Sequence, residues 1–449
     1  MSGDRARETH LLPCGFKRSA HSHPRRGCGL ATQGAPYFNW AFLQFPRGRL
    51  EEPIRTLPLP SRRFPQVMTH SPPNDSPVRR GDSKRTDARE AVAELDATLG
   101  LQTAALGVLF YSPSYDEEAL VEELTKRQAA GPIVACTTAG EIGMDGYQDD
   151  SISGFSLTGD EFQVAIGVVD GLSDFSIEQA GEIATTLRAD LGAQVESMKS
   201  SNCFVLLLVD GLSGAEEPLT FKLQQALGDI PLVGGSAGDR YDFKSTRIIA
   251  NGKAASDRAV IVMVHTTRPF QIISEQAFHP TDRKVVITGA DPGSRKISEI
   301  NGITAAEGYA ELLNLEGPDQ LTAELFAERP LMLQLGGQWH VRSPQTVLEG
   351  GAIQTYCAVE EGNVLSVGEC IDFAGSLRET LEAARSKIGE IQLLIACDCI
   401  QRRMRIESHD ELELASEIMR EFNAIGFSTY GEQCGTVHMN QTLTAIAIA

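Results

Sequence analysis

The chain has no apolar run long enough to cross a bilayer: stretches such as Phe204 to Val209 fall far short of the roughly 20 residues a spanning helix needs. It also lacks a positive N-terminal segment leading into an apolar core, so neither membrane insertion nor secretion is expected. Its nine cysteines stand far apart, without the paired spacing of secreted disulfide frameworks, which points to reduced thiols and a cytoplasmic setting. No Cys-x-x-Cys-His sequence offers covalent haem attachment, and no Gly-Lys-Ser or Gly-Lys-Thr marks a phosphate loop. A nucleophile elbow is not expected at Ser236.

Charge divides what is present. Residues 1–85 hold 15 of the 40 Lys and Arg against 6 acids, together with 11 of the 21 prolines, whereas the rest of the chain holds 25 basic and 54 acidic side chains. A body this acidic repels phosphate, so nucleic acid is not an expected partner. The arginines of 1–85 are scattered, in blocks no longer than two, among Pro, Ser and Gly. The segment reads as a disordered basic Pro/Arg-rich leader, and Met68 near its end offers a later start.

From about Asp87 the pattern becomes regular. A helix over Arg89 to Leu99 precedes a strand at Ala105 to Phe110; Asp116 is placed to cap a second helix, and the strand Pro132 to Cys136 ends at Thr137-Thr138-Ala139-Gly140-Glu141. The series returns with strand Cys203 to Val209, helix Glu216 to Leu227 and strand Pro231 to Val233, ending at Gly235-Ser236-Ala237-Gly238-Asp239. It returns again with strand Ile391 to Ala396, a polar loop Asp398 to Arg405, helix Glu411 to Phe422 and strand Ala424 to Phe427, ending at Ser428-Thr429-Tyr430-Gly431-Glu432. Strand pairs are expected between these units: Ser151 to Thr158 with Phe162 to Val168, Arg247 to Ala250 with Ala259 to His265, and Ile353 to Ala358 with Val364 to Glu369.

The expected fold class is α/β: two mixed-sheet domains with helices packed on the sheets, over residues 86–280 and 295–449, divided at the polar, Gly-rich stretch near 280–300. The common terminal tag joins a hydroxyl, Gly and an acid where a strand ends. Gly permits a close approach, hydroxyls both donate and accept, and the carboxylate suits an ammonium or guanidinium. Three such loops are placed to converge on one ligand, with Thr137, Thr138, Gly140, Glu141, Gly235, Ser236, Gly238, Asp239, Tyr430, Gly431 and Glu432 as candidate binding residues. The same tags also suit simple turns whose hydroxyls bond the local backbone.

The first two tags resemble a FIST N-terminal domain. Cys399 and Arg402 in Ala396-Cys397-Asp398-Cys399-Ile400-Gln401-Arg402, the third tag, and Asn440-Gln441-Thr442-Leu443-Thr444 resemble a FIST C-terminal domain. The resemblance covers about residues 90–449 and implies a bacterial signal-transduction protein whose sensory domains bind a small molecule, an amino-acid-like ligand or haem. Some relatives respond to nitric oxide and act on a histidine kinase, which such a partner here would match. It adds Cys399, Arg402, Asn440 and Thr442 to the candidate ligand-binding residues, and Arg342 is a further candidate. Position 401 is Gln where similar proteins often have Gly, and Met439 separates His438 from Asn440 where the two are often adjacent.

Two further arrangements compete with a pure ligand site. Cys397, Cys399, Cys434 and His438 have a spacing that two neighbouring strand ends could gather around a metal, and His438 is the candidate haem ligand. Cys399 could instead be an enzyme's thiolate, its pKa lowered by Arg402, with His438 as base and Glu432 orienting it.

Overall fold

The computed structural model describes residues 76–370 and 372–449. The first unit runs β1 (Val78–Ser83), α1 (Ala88–Leu99), β2 (Leu106–Tyr111), α2 (Glu117–Arg127), β3 (Ile133–Thr137), the hairpin β4 (Glu141–Gly143) and β5 (Gly146–Gln148), and β6 (Ile152–Leu157). The second repeats it as β7 (Phe162–Asp170), α3 (Ile177–Gly192), β8 (Cys203–Asp210), α4 (Glu216–Leu227), β9 (Leu232–Ala237), hairpin β10 (Ile248–Ala250) and β11 (Lys253–Ala255), and β12 (Arg258–Thr266). The third opens with β13 (Phe270–Glu275) and is then interrupted. The insert comprises β14 (Phe278–Asp291), β15 (Lys296–Ile300), β16 (Ile303–Thr304), α5 (Ala305–Leu313), α6 (Ala323–Glu328), β17 (Leu331–Leu335), β18 (Gln338–Arg342), β19 (Pro344–Val347), β20 (Ile353–Thr355) and β21 (Val364–Cys370). The unit resumes as α7 (Phe373–Ile388), β22 (Leu393–Cys399), α8 (Ile400–Ser408), α9 (Leu412–Glu421), β23 (Ala424–Thr429), hairpin β24 (Glu432–Cys434) and β25 (Val437–Met439), and β26 (Leu443–Ile448).

Each unit builds the same mixed sheet, in which the strands on either side of a helical crossover are parallel and the last strand returns antiparallel beside the first of them. The hairpins, however, change sheets. β4–β5 extends the third unit's sheet through β23, β24–β25 extends the second's through β9, and β10–β11 extends the first's through β3. The exchange therefore closes into a circle of three.

Side-chain alternation explains how the sheets are covered. Along β8, Leu206 and Leu208 face a core shared with Phe110, Phe427 and Ile446 of the other two sheets, while Val205, Leu207 and Val209 face α3 and α4. The other two sheets do the same, with α1 and α2 outside one and α7 and α9 outside the other. At the shared core the rings of Phe110 and Phe427 stack 4.7 Å apart.

The expected helices and strands of the three units are present, and Asp116 caps α2 by accepting from the Ala119 amide at 3.0 Å. Asp116→Ala is expected to cost about 1 kcal/mol, read from the urea midpoint, because that amide would be left unpaired. Other expectations are corrected. None of the three proposed strand pairs forms: β6 joins β1 and β2 while β7 joins β12; β10 joins β3 and β11; and β20 joins β15 and β19 while β21 joins β14 and β17. Periodicity identifies a strand but not its partner, and here consecutive strands leave for different sheets.

The segment expected as a loop after Asp398 is the helix α8, because Arg402, Arg403 and Arg405 are all buried against carboxylates. Val78–Ser83, inside the segment read as leader, is the edge strand of the first sheet, since it pairs β6 along its length with Val78 buried in the shared core and Ser83 buried on the opposite face, bonded to Glu94 of α1. The leader reading and Met68 otherwise lie outside the described residues. Strand pairing crosses the expected 280–295 division, as β13 pairs β26 and β4 pairs β23.

Candidate functional site

The three tags meet. Gly238 N donates to Thr137 O at 3.1 Å and Arg240 N to Thr138 O at 3.0 Å; Ala139 N donates to Ser428 O at 2.9 Å and Ser428 N to Gly140 O at 2.7 Å; Ser236 N donates to Gly431 O at 2.8 Å and Tyr430 N to Ser236 O at 3.1 Å. The glycines permit this closeness. A Cβ on Gly238 would lie 2.9 Å from Ala139 N, and one on Gly235 would lie 2.6 Å from Thr429 Cγ2.

The acids of the tags turn inward. Glu141 accepts from the Thr138 hydroxyl, from Ser151 N at 3.1 Å and from Ser151 Oγ at 2.7 Å. Glu432 repeats the arrangement at identical sequence offsets, accepting from the Thr429 hydroxyl, Thr442 N at 3.3 Å and Thr442 Oγ1 at 2.7 Å. Burial pushes the Glu141 carboxyl up to about 7 and the Glu432 carboxyl up to about 8, against hydrogen bonds that pull both down. Asp239 accepts from the amides of Phe243, Lys244 and Ser245 at 2.8, 2.7 and 2.6 Å and from the Tyr430 hydroxyl, whose ring stacks on Phe243. These carboxylates and hydroxyls are paired within the protein, and each holds its own loop or hairpin.

Gly234-Gly235-Ser236-Ala237-Gly238 has the spelling of a nucleophile elbow after all, but not its geometry. Ser236 lies within strand β9, fully buried, no helix follows it, and its hydroxyl accepts from Gln433 Nε2 at 2.9 Å.

Arg402 and Cys399 part company. Arg402 lies over the Phe373 ring, donates to Asp398 at 2.7 Å and pairs Glu275 at 2.7 Å, while Tyr147 donates to Asp398 at 2.9 Å and Ser376 to Glu275 at 2.8 Å. Burial opposes the Arg402 charge, but Glu275 and Asp398 outweigh it and raise its pKa. Cys399 is sealed from solvent, and burial, reinforced by Glu432, pushes its thiol well above its ordinary value. The expected lowering by Arg402 is thus reversed, and Cys399 stays a thiol.

A different set of atoms lacks protein partners. Both side-chain atoms of Asn440, Nε2 of His438, Nε of Arg342 and Oε1 of Gln433, Gln441 and Gln401 are buried without a hydrogen bond. Asn440 is 1% exposed and His438 2%, so solvent reaches neither. A Cβ on Gly431 would lie 2.8 Å from His438 Nε2 and 3.3 Å from Asn440 Nδ2, which puts these two groups together beside that glycine. The insert reaches the same place. His340 Nδ1 lies 3.3 Å from Met439 Sδ, Ser343 Oγ accepts from Gln441 Nε2 at 2.7 Å, and the Arg342 charge acts on His438. Groups so buried cost free energy unless something satisfies them, and the cluster falls where the insert meets the third unit's hairpin. A solvent-open groove lined by Lys284, Leu333, Trp339 and Val364 contains none of these atoms.

His438 does not fit haem ligation. Its Nδ1 lies 3.0 Å from Gln433 Nε2, so that ring nitrogen is already engaged within the protein. The Nε2 edge that would face iron lies against Gly431, where even a Cβ would come within 2.8 Å, so the plane of a haem has no room there. Burial, then the Arg295 and Arg342 charges, hold the imidazole neutral by lowering its pKa well below the ordinary value. Among the described residues no group of three or more His, Cys, Asp or Glu is placed to hold a metal ion, so Cys397, Cys399, Cys434 and His438 do not assemble.

Of the candidate residues, the structure therefore brings Gly431 and Asn440 together beside His438, with Arg342 near enough for its charge to act on that imidazole, Thr442 bonded to Glu432, and Arg402 in its own network with Asp398 and Glu275. Sequence reasoning missed Gln433 and Gln441; the only signal was their position, one residue after Glu432 and after Asn440. Comparison with protein-family models matches residues 105–303 to the FIST N domain and residues 305–435 to the FIST C domain. No curated protein matches the chain.

Proposed function

The chain belongs to the FIST family, and from that premise we propose that it is a cytoplasmic sensor that binds a small polar molecule at the Asn440 cluster and reports to a signalling partner. FIST domains are sensory domains of signal transduction, and a histidine kinase is the kind of partner this one would serve. No helix among the described residues is long and apolar enough to cross a membrane. The observation that carries the site is the Asn440 amide, whose donor and acceptor are both buried and both without a protein partner.

Asn440 offers both an N–H donor and an acceptor, Gln433 and Gln441 add acceptors, and the His438 ring nitrogen lies beside them, which suits a ligand with both functions at short spacing, an amino-acid-like molecule. Occupation would bridge the insert to the third unit, two parts otherwise joined by contacts such as Ser343 to Gln441. A bridge of that kind changes the rigidity of one against the other, which a partner protein can read.

Asn440→Ala supplies the test. Because neither amide atom has a protein partner, its loss is expected to leave the free protein's melting temperature unchanged or slightly raised, while abolishing the rise produced by whichever amino acids or related small molecules stabilise the parent chain in a thermal-shift screen. A screen without a single stabilising compound, or a variant that responds like the parent, would remove the site.

A further inference from the structure

Each of the three units leaves its first strand at a sheet edge: β1, β7 and β13 pair on one side and have no strand on the other among the described residues. An open edge is a template for a further strand, and proteins blunt it with charge, proline, bulges or brevity. β1 carries Arg79, Arg80 and Asp82 within six residues. β13 is also six residues long, the carbonyl of Ile272 is taken by Gln271 Nε2 at 2.7 Å, and its last residue, Glu275, is a buried carboxylate paired with Arg402. β7 has none of these devices. It runs for nine residues with no proline, no register shift against β12 and no charge before Asp170.

The bonds at the two ends of β7 fix which way its backbone points. Thr267 N donates to Glu161 O at 3.3 Å and Gly171 N to Asp257 O at 2.9 Å, so the odd-numbered residues face β12, and Val164, Ile166 and Val168 turn their N–H and C=O groups away from it. Among the described residues these outward groups have one partner, Gln194 Nε2, which donates to Val164 O at 3.2 Å from an exposed position. The side chains of the same three residues are half-buried at the margin of the shared core, while Ala165 and Gly167 face α3.

We propose that β7 is the interface of a homodimer, in which it pairs antiparallel with β7 of a second copy about a two-fold axis at Ile166 and joins the two six-stranded sheets into one. The segment Val164-Ala165-Ile166-Gly167-Val168 is nearly palindromic, as an isologous strand pair requires. Val164 falls opposite Val168 of the second copy and Ile166 opposite its own equivalent, so the outward N–H and C=O groups exchange bonds and β-branched side chains lie side by side. Ala165 falls opposite Gly167, two small residues where a pair without hydrogen bonds approaches most closely. A strand without charge has nothing to select a charged peptide. The part of the chain after residue 85, with 25 basic and 54 acidic side chains, repels its own copy at long range, so the attraction comes from the strand itself and is strongest where salt screens the repulsion.

Sedimentation equilibrium of the full chain over a concentration series, with amide hydrogen exchange at both ends of that series, tests this. The parent is expected to pass from the 48.6 kDa chain to twice that mass, and exchange in the segment holding Ile166 and Val168 to slow as the dimer forms. Val168→Pro removes an outward N–H and keeps the bonds to β12, so it is expected to preserve the parent's circular dichroism while weakening dimerisation at least about tenfold. Val168→Lys puts a charge at the same edge position and is expected to act alike with the backbone untouched. A chain monomeric at every concentration, or a dimer that both folded variants leave intact, would overturn the proposal. The exchange measurement needs no variant: a dimer in which Ile166 and Val168 exchange as in the monomer would place the interface elsewhere, and a monomer in which they are protected would give the edge to another segment of the same chain. Added salt is expected to tighten the dimer, and dissociation by salt would assign it to ion pairs and refute the strand pairing.

Discussion

Arg402→Met is expected to lower the stability of the full chain by roughly 3–5 kcal/mol, because it strands two buried carboxylates rather than removing one contact. Asp398 is fully buried and Glu275 nearly so, and the guanidinium between them is the positive group that each of them touches. Urea unfolding at neutral pH, with the slope checked for two-state behaviour, gives the value. Arg402→Lys should lose less, since it keeps the charge but cannot span both carboxylates at once. The triple change Arg402→Met with Asp398→Asn and Glu275→Gln should recover much of the loss. A single-variant effect below about 1 kcal/mol would mean that water reaches the network and screens it.

Raising the pH from 5 to 8 is expected to destabilise the protein by a few kcal/mol through Glu141 and Glu432. Both carboxyls have native pKa values, about 7 and about 8, above the ordinary 4.5. The native state therefore keeps protons that the unfolded chain has released. The stabilisation is complete below about pH 4.5 and is lost as the pH rises through 7 and then 8. The double variant Glu141→Gln with Glu432→Gln keeps neutral hydrogen-bonding groups in both places and should flatten this part of the profile. An unchanged slope in the double variant would show that the two carboxyls stay ionised, their hydroxyl and amide donors outweighing burial.

Much of the architecture was readable in the linear order of residues. Three strand–helix–strand units, the Asp116 cap and the position of the tags all follow from local patterns, and local patterns are decided within a turn or two of chain. The destination of each hairpin was not readable, because β4 and β5 have the same polar-apolar alternation whether they fold onto their own sheet or another. The interruption of the third unit was hidden for a similar reason: β13 looks like the start of whatever follows it, and only its pairing with β26 reveals otherwise.

The tags show how chemistry can be located correctly and oriented wrongly. Hydroxyl, glycine and acid do meet in space, but Thr138 and Thr429 sit three residues before their glutamates, and Ser151 and Thr442 ten after. That repeated spacing was available in the sequence and is the signature of an acid held by its own hairpin. The Asn440 cluster, by contrast, meets the insert only through contacts such as Ser343 to Gln441, and no local pattern announces buried polar groups whose distinction is a missing partner.

The circular exchange of hairpins also sets an order of events during synthesis. The first sheet can close once β10–β11 has emerged, but the second waits for β24, and β4–β5 finds no strand to join until β23 exists. Ser153 donates to the carbonyl of Gly426, 273 residues further along. Contacts this remote carry a high closure entropy and slow folding, so a nascent chain holds its first hairpin unpaired through most of its translation. The last strands to leave the ribosome are those that shut the circle, and a chain stopped before them ends with β9 as an open sheet edge in the second unit and the β4–β5 hairpin of the first without its sheet.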